Sequence, residues 1–292
     1  MTGMFDRVII QIKSIVVTAL VLTGWLVVLS SDGVNAYVMG RDDRHAVSEE
    51  EARLPEIAQT GVIEIQDGGY VTGILTGDNC DVVLSAGHAA FYWRDNPAKG
   101  QSKGTLRGGG KFLFGLDPAQ RGQGYAITLV KSGLENPANL ADDRHDWSIF
   151  RLSQPALPGC KQIVFSRNGG NCNGQILMPA YHFDRRDTLL IDRSCAIKDA
   201  INHAILVHDC DSKDGSSGAP LYCRDQAAIK LLGINISGVS RKELVDPGVY
   251  GKASRQFNYK NHKNFAVTIH GEFLQALETE LQASTRRKLQ QQ

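Results

Sequence analysis

From about residue 56 to residue 270, short apolar runs alternate with Gly, Asn, Asp and Pro. They fall at 61–66, 70–76, 81–85, 111–116, 126–130 and 146–152, then at 162–165, 175–182, 188–191, 204–208, 221–223, 231–237 and 265–269. Short runs rich in Val, Ile, Leu and Tyr read as strands, because such side chains pack well on a pleated surface while Gly, Asn and Pro turn the chain. No long βαβ spacing separates them, which argues against a parallel sheet. The pattern predicts an all-β barrel or sandwich. The one helical period is terminal: Phe273, Leu274, Leu277 and Leu281 recur at helix spacing over 271–281. Residues 286–292, which begin Arg286-Arg287-Lys288, read as a polar, solvated tail.

The chain has 292 residues, enough for one large domain or two small ones with real cores. A net charge of +1 gives no drive toward nucleic acid or an anionic membrane, and neither is expected as a partner on that ground. The N-terminus stands apart from the rest. Arg7 and Lys13 precede an uncharged stretch over 14–31, then Asp32 and Val34-Asn35-Ala36, small residues at the spacing a signal peptidase accepts. We read residues 1–36 as a secretory signal cut after Ala36, with the folded domain over 37–285. The alternative is an uncleaved anchor, since this stretch approaches bilayer-spanning length; a membrane contact is expected only in that case.

Both readings place the domain outside the cytoplasm, secreted or periplasmic. The cysteines agree, because Cys80, Cys160, Cys172, Cys195, Cys210 and Cys223 all follow residue 36. An even count in an exported chain predicts three disulfides. Cys195 and Cys210 bracket what reads as a hairpin over 196–209 and are the expected pair. There is no CxxC pair and no Cys/His cluster with zinc-ligand spacing, so neither a metal nor a cofactor is expected. The glycine run at 107–111 lacks the spacing of a phosphate loop and reads as a surface turn.

Three distant segments carry the groups that attack on a carbonyl requires: a hydroxyl, a base, an orienting acid and donors for the oxyanion. Gly215-Ser216-Ser217-Gly218-Ala219-Pro220 supplies the hydroxyl. Ser217 is the expected nucleophile and Ser216 its adjacent rival. The flanking glycines permit a tight turn, in which the N–H groups of Gly215 and Ser217 converge on an oxyanion. Leu84-Ser85-Ala86-Gly87-His88 ends a strand on the expected base, His88, an imidazole able to take and return a proton near neutral pH. Asp146 heads the apolar run 146–152 and is the expected orienting carboxylate, ahead of Asp142 and Asp143; His145 is too close to Asp146 in sequence to be the base. Alone, each segment has an ordinary reading: a Gly/Ser turn, a half-buried histidine, a strand-start aspartate. Together, in the order His, Asp, Ser, they form one catalytic set.

These segments resemble the chymotrypsin-like (trypsin-like) serine peptidases, above all the bacterial branch that includes glutamyl endopeptidases. The resemblance runs from about residue 40 to the terminal helix. Gly40-Arg41-Asp42-Asp43-Arg44 resembles the G-x-D-D-R stretch near mature N-termini in that branch, Ser85-Ala86-Gly87-His88 and Asp146-Trp147-Ser148-Ile149 its histidine and aspartate segments, and Cys210 through Pro220 its nucleophile segment. The resemblance implies two six-stranded antiparallel β-barrels, at about 56–155 and 156–270, with the active site between them. It also implies a monomeric serine endopeptidase acting on protein or peptide substrates through an acyl-enzyme. Ser216 stands where animal trypsins carry an aspartate that pairs with a freed N-terminus, so activation of that type is not expected. Asp211, six residues before Ser217, has the spacing of the carboxylate that selects Arg or Lys. Asn235 stands where glutamate-specific members carry a histidine, and Ser237 and Gly238 are expected at the cleft edge. Two alternatives remain: a catalytically silent protease-like binding module, and a serine esterase, whose usual carrier is an α/β fold with Ser before His.

Overall fold

The computed structural model describes residue 38 and residues 41–65, 69–92, 97–100, 102, 104–107, 110–115, 124–136, 142–156, 160–167, 171–225, 228–239 and 263–292. The expected signal over 1–36 lies outside them. Among the described residues, no helix is long and apolar enough to cross a membrane.

Strands β2 (Thr60–Ile65), β3 (Tyr70–Thr76), β4 (Val82–Ser85), β5 (Gly110–Phe114), β6 (Tyr125–Ser132) and β7 (Ser148–Leu152) close an antiparallel barrel in the order β2-β3-β4-β7-β6-β5. Side chains on a strand alternate between faces. Val71, Leu75, Val83 and Phe150 accordingly share one apolar cluster with Phe112 and Ile127. Their neighbours Tyr70, Ile74, Leu84 and Ile149 join a second cluster with Tyr181, Val207, Tyr222, Ile234 and Phe265 from the C-terminal half. Burial on both faces explains why these strands read as continuous apolar runs without alternation.

The C-terminal half comprises β8 (Gln175–His182), β9 (Arg185–Asp192), β10 (Ile197–Ile201), β11 (Ile205–His208), β12 (Pro220–Asp225), β13 (Ala228–Val239) and β14 (Lys263–Thr268), joined at one edge by β1 (His45–Ala46). Its order is β1-β9-β8-β12-β13-β14-β11-β10, a half-barrel sheet of eight strands where six were expected. The extra members are the edge strand β1 and the outer strand of the β10–β11 hairpin. The run at 162–165 makes only a parallel bridge, Phe165 to Leu231. Three disulfides form, Cys80–Cys160, Cys172–Cys223 and the expected Cys195–Cys210.

After a short α1 (Pro55–Ala58), the next α-helix among the described residues is α2 (Gly271–Gln291). Its first turns bury Phe273, Leu277 and Leu281, and Phe273 stacks on Trp147 with ring centroids 4.8 Å apart. The helix does not stop at Leu281. Ser284 Oγ donates to Asp81 Oδ1 at 2.6 Å, Thr285 Oγ1 to Asp78 Oδ2 at 2.6 Å, and Arg287 Nε to Asp81 Oδ2 at 2.6 Å. Buried Glu280 accepts from both Arg287 and Arg151. The stretch that reads as solvated tail is therefore helical, and Arg287 is anchored on the turn before β4.

Candidate active site

His88 sits in a 3-10 turn (Gly87–Ala89) directly after β4, and Asp146 follows a second such turn (Asp143–His145) directly before β7. Because β4 and β7 pair antiparallel, with Ser85 opposite Ser148, the two turns meet at one end of the barrel. Asp146 holds the histidine at two points. Its Oδ2 lies 2.8 Å from His88 Nδ1, and its Oδ1 accepts the His88 backbone N–H at 2.8 Å. This network assigns the Nδ1–H tautomer and leaves Nε2 as the basic nitrogen. The side chains are 17% and 13% exposed, so the pair is shielded yet reachable. Gly87 is needed here, since a Cβ would lie 2.9 Å from Trp147 N and 3.0 Å from Asp146 Oδ1.

The rival groups are occupied elsewhere. Asp142 caps its turn and binds the Arg144 guanidinium, whose hydrogen bond holds the carboxyl below the usual range. Asp143 lies within the turn itself. His145 lies between Asp142 and Glu272, 3.8 Å from each.

The nucleophile segment crosses from the second sheet to the first barrel. Gly215 and Gly218 adopt φ of +96° and +85°, conformations that favour glycine. A Cβ on Gly218 would lie 2.0 Å from Thr72 O and 2.1 Å from Ser85 Oγ. Thr72 on β3 is the joint: its N–H donates to Ser217 O at 2.8 Å, its hydroxyl donates to Gly215 O at 2.9 Å, and its carbonyl accepts from Ser85 Oγ at 2.7 Å. Ser217 thus lies across Thr72 from Ser85, three residues before His88.

Ser217 alone in the run 215–220 is not buried. Among the described residues its hydroxyl makes one long contact, 3.4 Å, with Ile236 O. Ser216 points inward, 1% exposed, with its Oγ 2.5 Å from Ser212 Oγ. The neighbouring N–H groups are satisfied, Ser216 by Lys213 O at 3.0 Å and Gly218 by Asn235 O at 2.7 Å. Those of Gly215 and Ser217 have no acceptor among the described residues. Two adjacent-but-one N–H groups left open beside an accessible serine are what an oxyanion requires.

The expected specificity residues fare differently. Asn235 is 1% exposed, and its amide nitrogen donates to Ser216 O at 3.0 Å and Oγ at 3.2 Å, so it braces the nucleophile loop from behind instead of lining an open surface. Its Oδ1 accepts from His208 Nε2 at 3.2 Å; burial pushes that imidazole down to about 4, so it is neutral. Asp211 is 2% exposed and accepts the Asp43 N–H at 2.7 Å. The backbones of Ser237 and Gly238 lie in β13, opposite Phe265 and Asn264 of β14. Thr72 and His208 were missed at the sequence level; nothing in a strand pattern marks them. One ligand-type cluster occurs among the described residues, Asp192 with Cys195 and Cys210, but the cysteines are bonded to each other.

No family model matches the chain, and no curated protein matches it in sequence. Solved structures match it in three dimensions. A structure of a Glu endopeptidase in complex with MPD covers 84% of this chain and 99% of its own, with a TM-score of 0.62 and 15% identity. The protease Anisep from Arthrobacter nicotinovorans covers 77% of this chain and 96% of its own, with a TM-score of 0.55 and 14% identity. This chain has the two-barrel fold of the chymotrypsin-like serine proteases.

Proposed function

We propose that the protein is a serine endopeptidase. The observation that carries this reading is the conjunction of an Asp146-held His88 with an accessible Ser217 flanked by two open N–H groups. Ser217 Oγ leaves its long contact with Ile236 O and adds to the scissile carbonyl, its proton passing to His88 Nε2. Asp146 stabilises the imidazolium, and the N–H groups of Gly215 and Ser217 hold the oxyanion. The C–N bond then breaks as His88 returns the proton to the leaving amine. Water hydrolyses the resulting ester by the same steps in reverse order. The silent-module alternative lacks support, since every group of the set is present.

Labelling with a fluorophosphonate, followed by mapping, tests the reading. Modification at Ser217 that disappears in His88→Ala is expected; full peptide hydrolysis by Ser217→Ala would overturn it. An esterase would be distinguished by cleaving esters but no peptide.

The expected Arg or Lys preference rests on Asp211 alone, and that carboxylate already holds Asp43 N–H. A peptide library run on the wild type and on Asp211→Ser decides it: an unchanged profile removes the preference. Export is proposed from the residues 1–36 pattern and is supported by three disulfides. Exported protein is expected to begin at Tyr37, and a start at Met1 in a membrane fraction would mean an anchor.

A further inference from the structure

The entry to the nucleophile loop is held by contacts that neither Thr72 nor Asn235 makes. Phe183 N donates to Asp214 O at 2.7 Å, Lys213 N donates to His182 Nδ1 at 3.3 Å, and Lys213 Nζ lies 3.2 Å from Asp184 Oδ2. These bonds lash the loop to the turn between β8 and β9. That turn is clasped in its turn by residues from the beginning of the domain. Arg44, with its side chain 1% exposed, donates through Nη1 and Nη2 to the two oxygens of Asp184 at 3.2 and 2.8 Å. Through Nε and Nη2 it also donates to Asp42 at 2.9 and 2.8 Å. Between these residues, Asp43 N donates to Asp211 Oδ2 at 2.7 Å. Strand β1 follows at once and pairs with β9.

We propose that Arg44 is a positioning residue for the nucleophile loop, clamping residues 42–44 across the loop's entry and thereby fixing the direction of the Gly215 and Ser217 N–H groups. The inference rests on the reading of Ser217 as nucleophile. Its logic is one of charge and leverage. A planar guanidinium with a fork of donors suits two carboxylates at once, as a lysine ammonium does not. Its hydrogen bond holds Asp42 down to about 2 and keeps Asp184 below the usual range, so both are ionised at neutral pH. Without Arg44, Asp184 would keep Lys213 at 3.2 Å but lose its two-point guanidinium partner, and Asp42 would lose the same group. The turn under strain would be the one against which Gly215 packs: a Cβ on Gly215 would lie 3.1 Å from Tyr181 O and 3.2 Å from Phe183 N. Ser216 within the loop is neutral and tied to Ser212 and Asn235, so the charged contacts on this loop are made at its entry, where Lys213 and Arg44 share Asp184.

The test uses the full chain and two readouts, the rate of fluorophosphonate labelling at Ser217 and the separate kcat and KM on a peptide substrate. Arg44→Ala is expected to slow labelling and kcat by about 30-fold, less than the about 10²–10³ for outright loss of an oxyanion donor because the donors are displaced and not removed, with KM nearly unchanged. Guanidinium ion at tens of millimolar should restore part of the rate where equal sodium chloride does not. Arg44→Lys, which keeps the charge and loses the fork, should stay below the wild type. Labelling of Arg44→Ala at the wild-type rate would overturn the proposal, as would a loss that guanidinium fails to recover. Should Arg44→Ala not fold, Asp43→Pro, which removes the N–H donated to Asp211, is judged by its kcat in the same way. A wild type that does not label overturns the underlying reading and the clamp with it, whereas a labelled wild type with an indifferent Arg44→Ala sinks the clamp alone.

Discussion

Thr72 shows how much one hydroxyl can organise. Its Oγ1 donates to Gly215 O and accepts the Tyr181 N–H at 3.1 Å, so a single buried group spans β3, the nucleophile loop and β8. Valine has nearly the same shape but can make neither bond. Thr72→Val would remove both hydrogen bonds from this buried joint, and is expected to cost about 2–4 kcal/mol in urea unfolding. It should also slow labelling at Ser217 more than it weakens substrate binding, because the displaced group is the loop proposed to hold the oxyanion. Comparison of kcat with KM checks this. The triad proposed above rests on segments that stand out in the sequence, because each member sits beside a distinctive local pattern: paired glycines, a strand ending in Ala-Gly, an aspartate before an apolar run. Thr72 was not legible, because a threonine inside a strand carries no sign of which carbonyls its hydroxyl will meet across the fold.

Among the elements, α2 and the strands differ in what the sequence discloses. The strand runs were visible because apolar residues and turn residues alternate over short distances. The first turns of α2 were visible through Phe273, Leu277 and Leu281. Its last turns were not, since Ser284, Thr285 and Arg287 reach polar partners on the first barrel, and polar residues with polar partners look like solvated ones. The β10–β11 hairpin was readable between Cys195 and Cys210, whereas the two-residue β1 escaped, because its place is set by hydrogen bonds to β9 and not by an apolar period. Phe273 is the hinge of the helix's packing, fully buried and stacked on Trp147, the residue after Asp146. Phe273→Ala is expected to destabilise the fold by about 3–5 kcal/mol. It should also reduce labelling at temperatures where the protein remains folded, because the support beneath the Asp146 turn is lost. Calorimetry and labelling on the same sample would separate the two effects.

Over the whole molecule, two buried imidazoles set the response to acid. Burial pushes His182 down to about 3 and His208 to about 4, whereas both titrate near 6.5 in the unfolded chain. Below that value the unfolded state takes up protons that the folded state refuses, so stability falls as pH drops from about 6.5 toward 4 and is fully present above that range. The expected slope is about 1.4 kcal/mol per pH unit for each histidine. Urea titrations between pH 7 and 5 would measure it, and His208→Gln should remove about half. Asp42 and Asp184, whose pKa values are lowered, act only at the acid end, where their protonation removes stability as pH falls below the normal carboxyl range.

The seating of α2 on the first barrel has a temporal consequence. A chain made N-terminus first completes β2 to β7 long before α2 emerges. Until then Trp147 lacks Phe273, and Asp81 lacks Ser284 and Arg287. The platform under Asp146 is complete only once α2 has been made, so a chain cut short before it carries His88 and Asp146 without that support. Such a product leaves uncovered the face of the Trp147 indole on which Phe273 stacks in the complete fold.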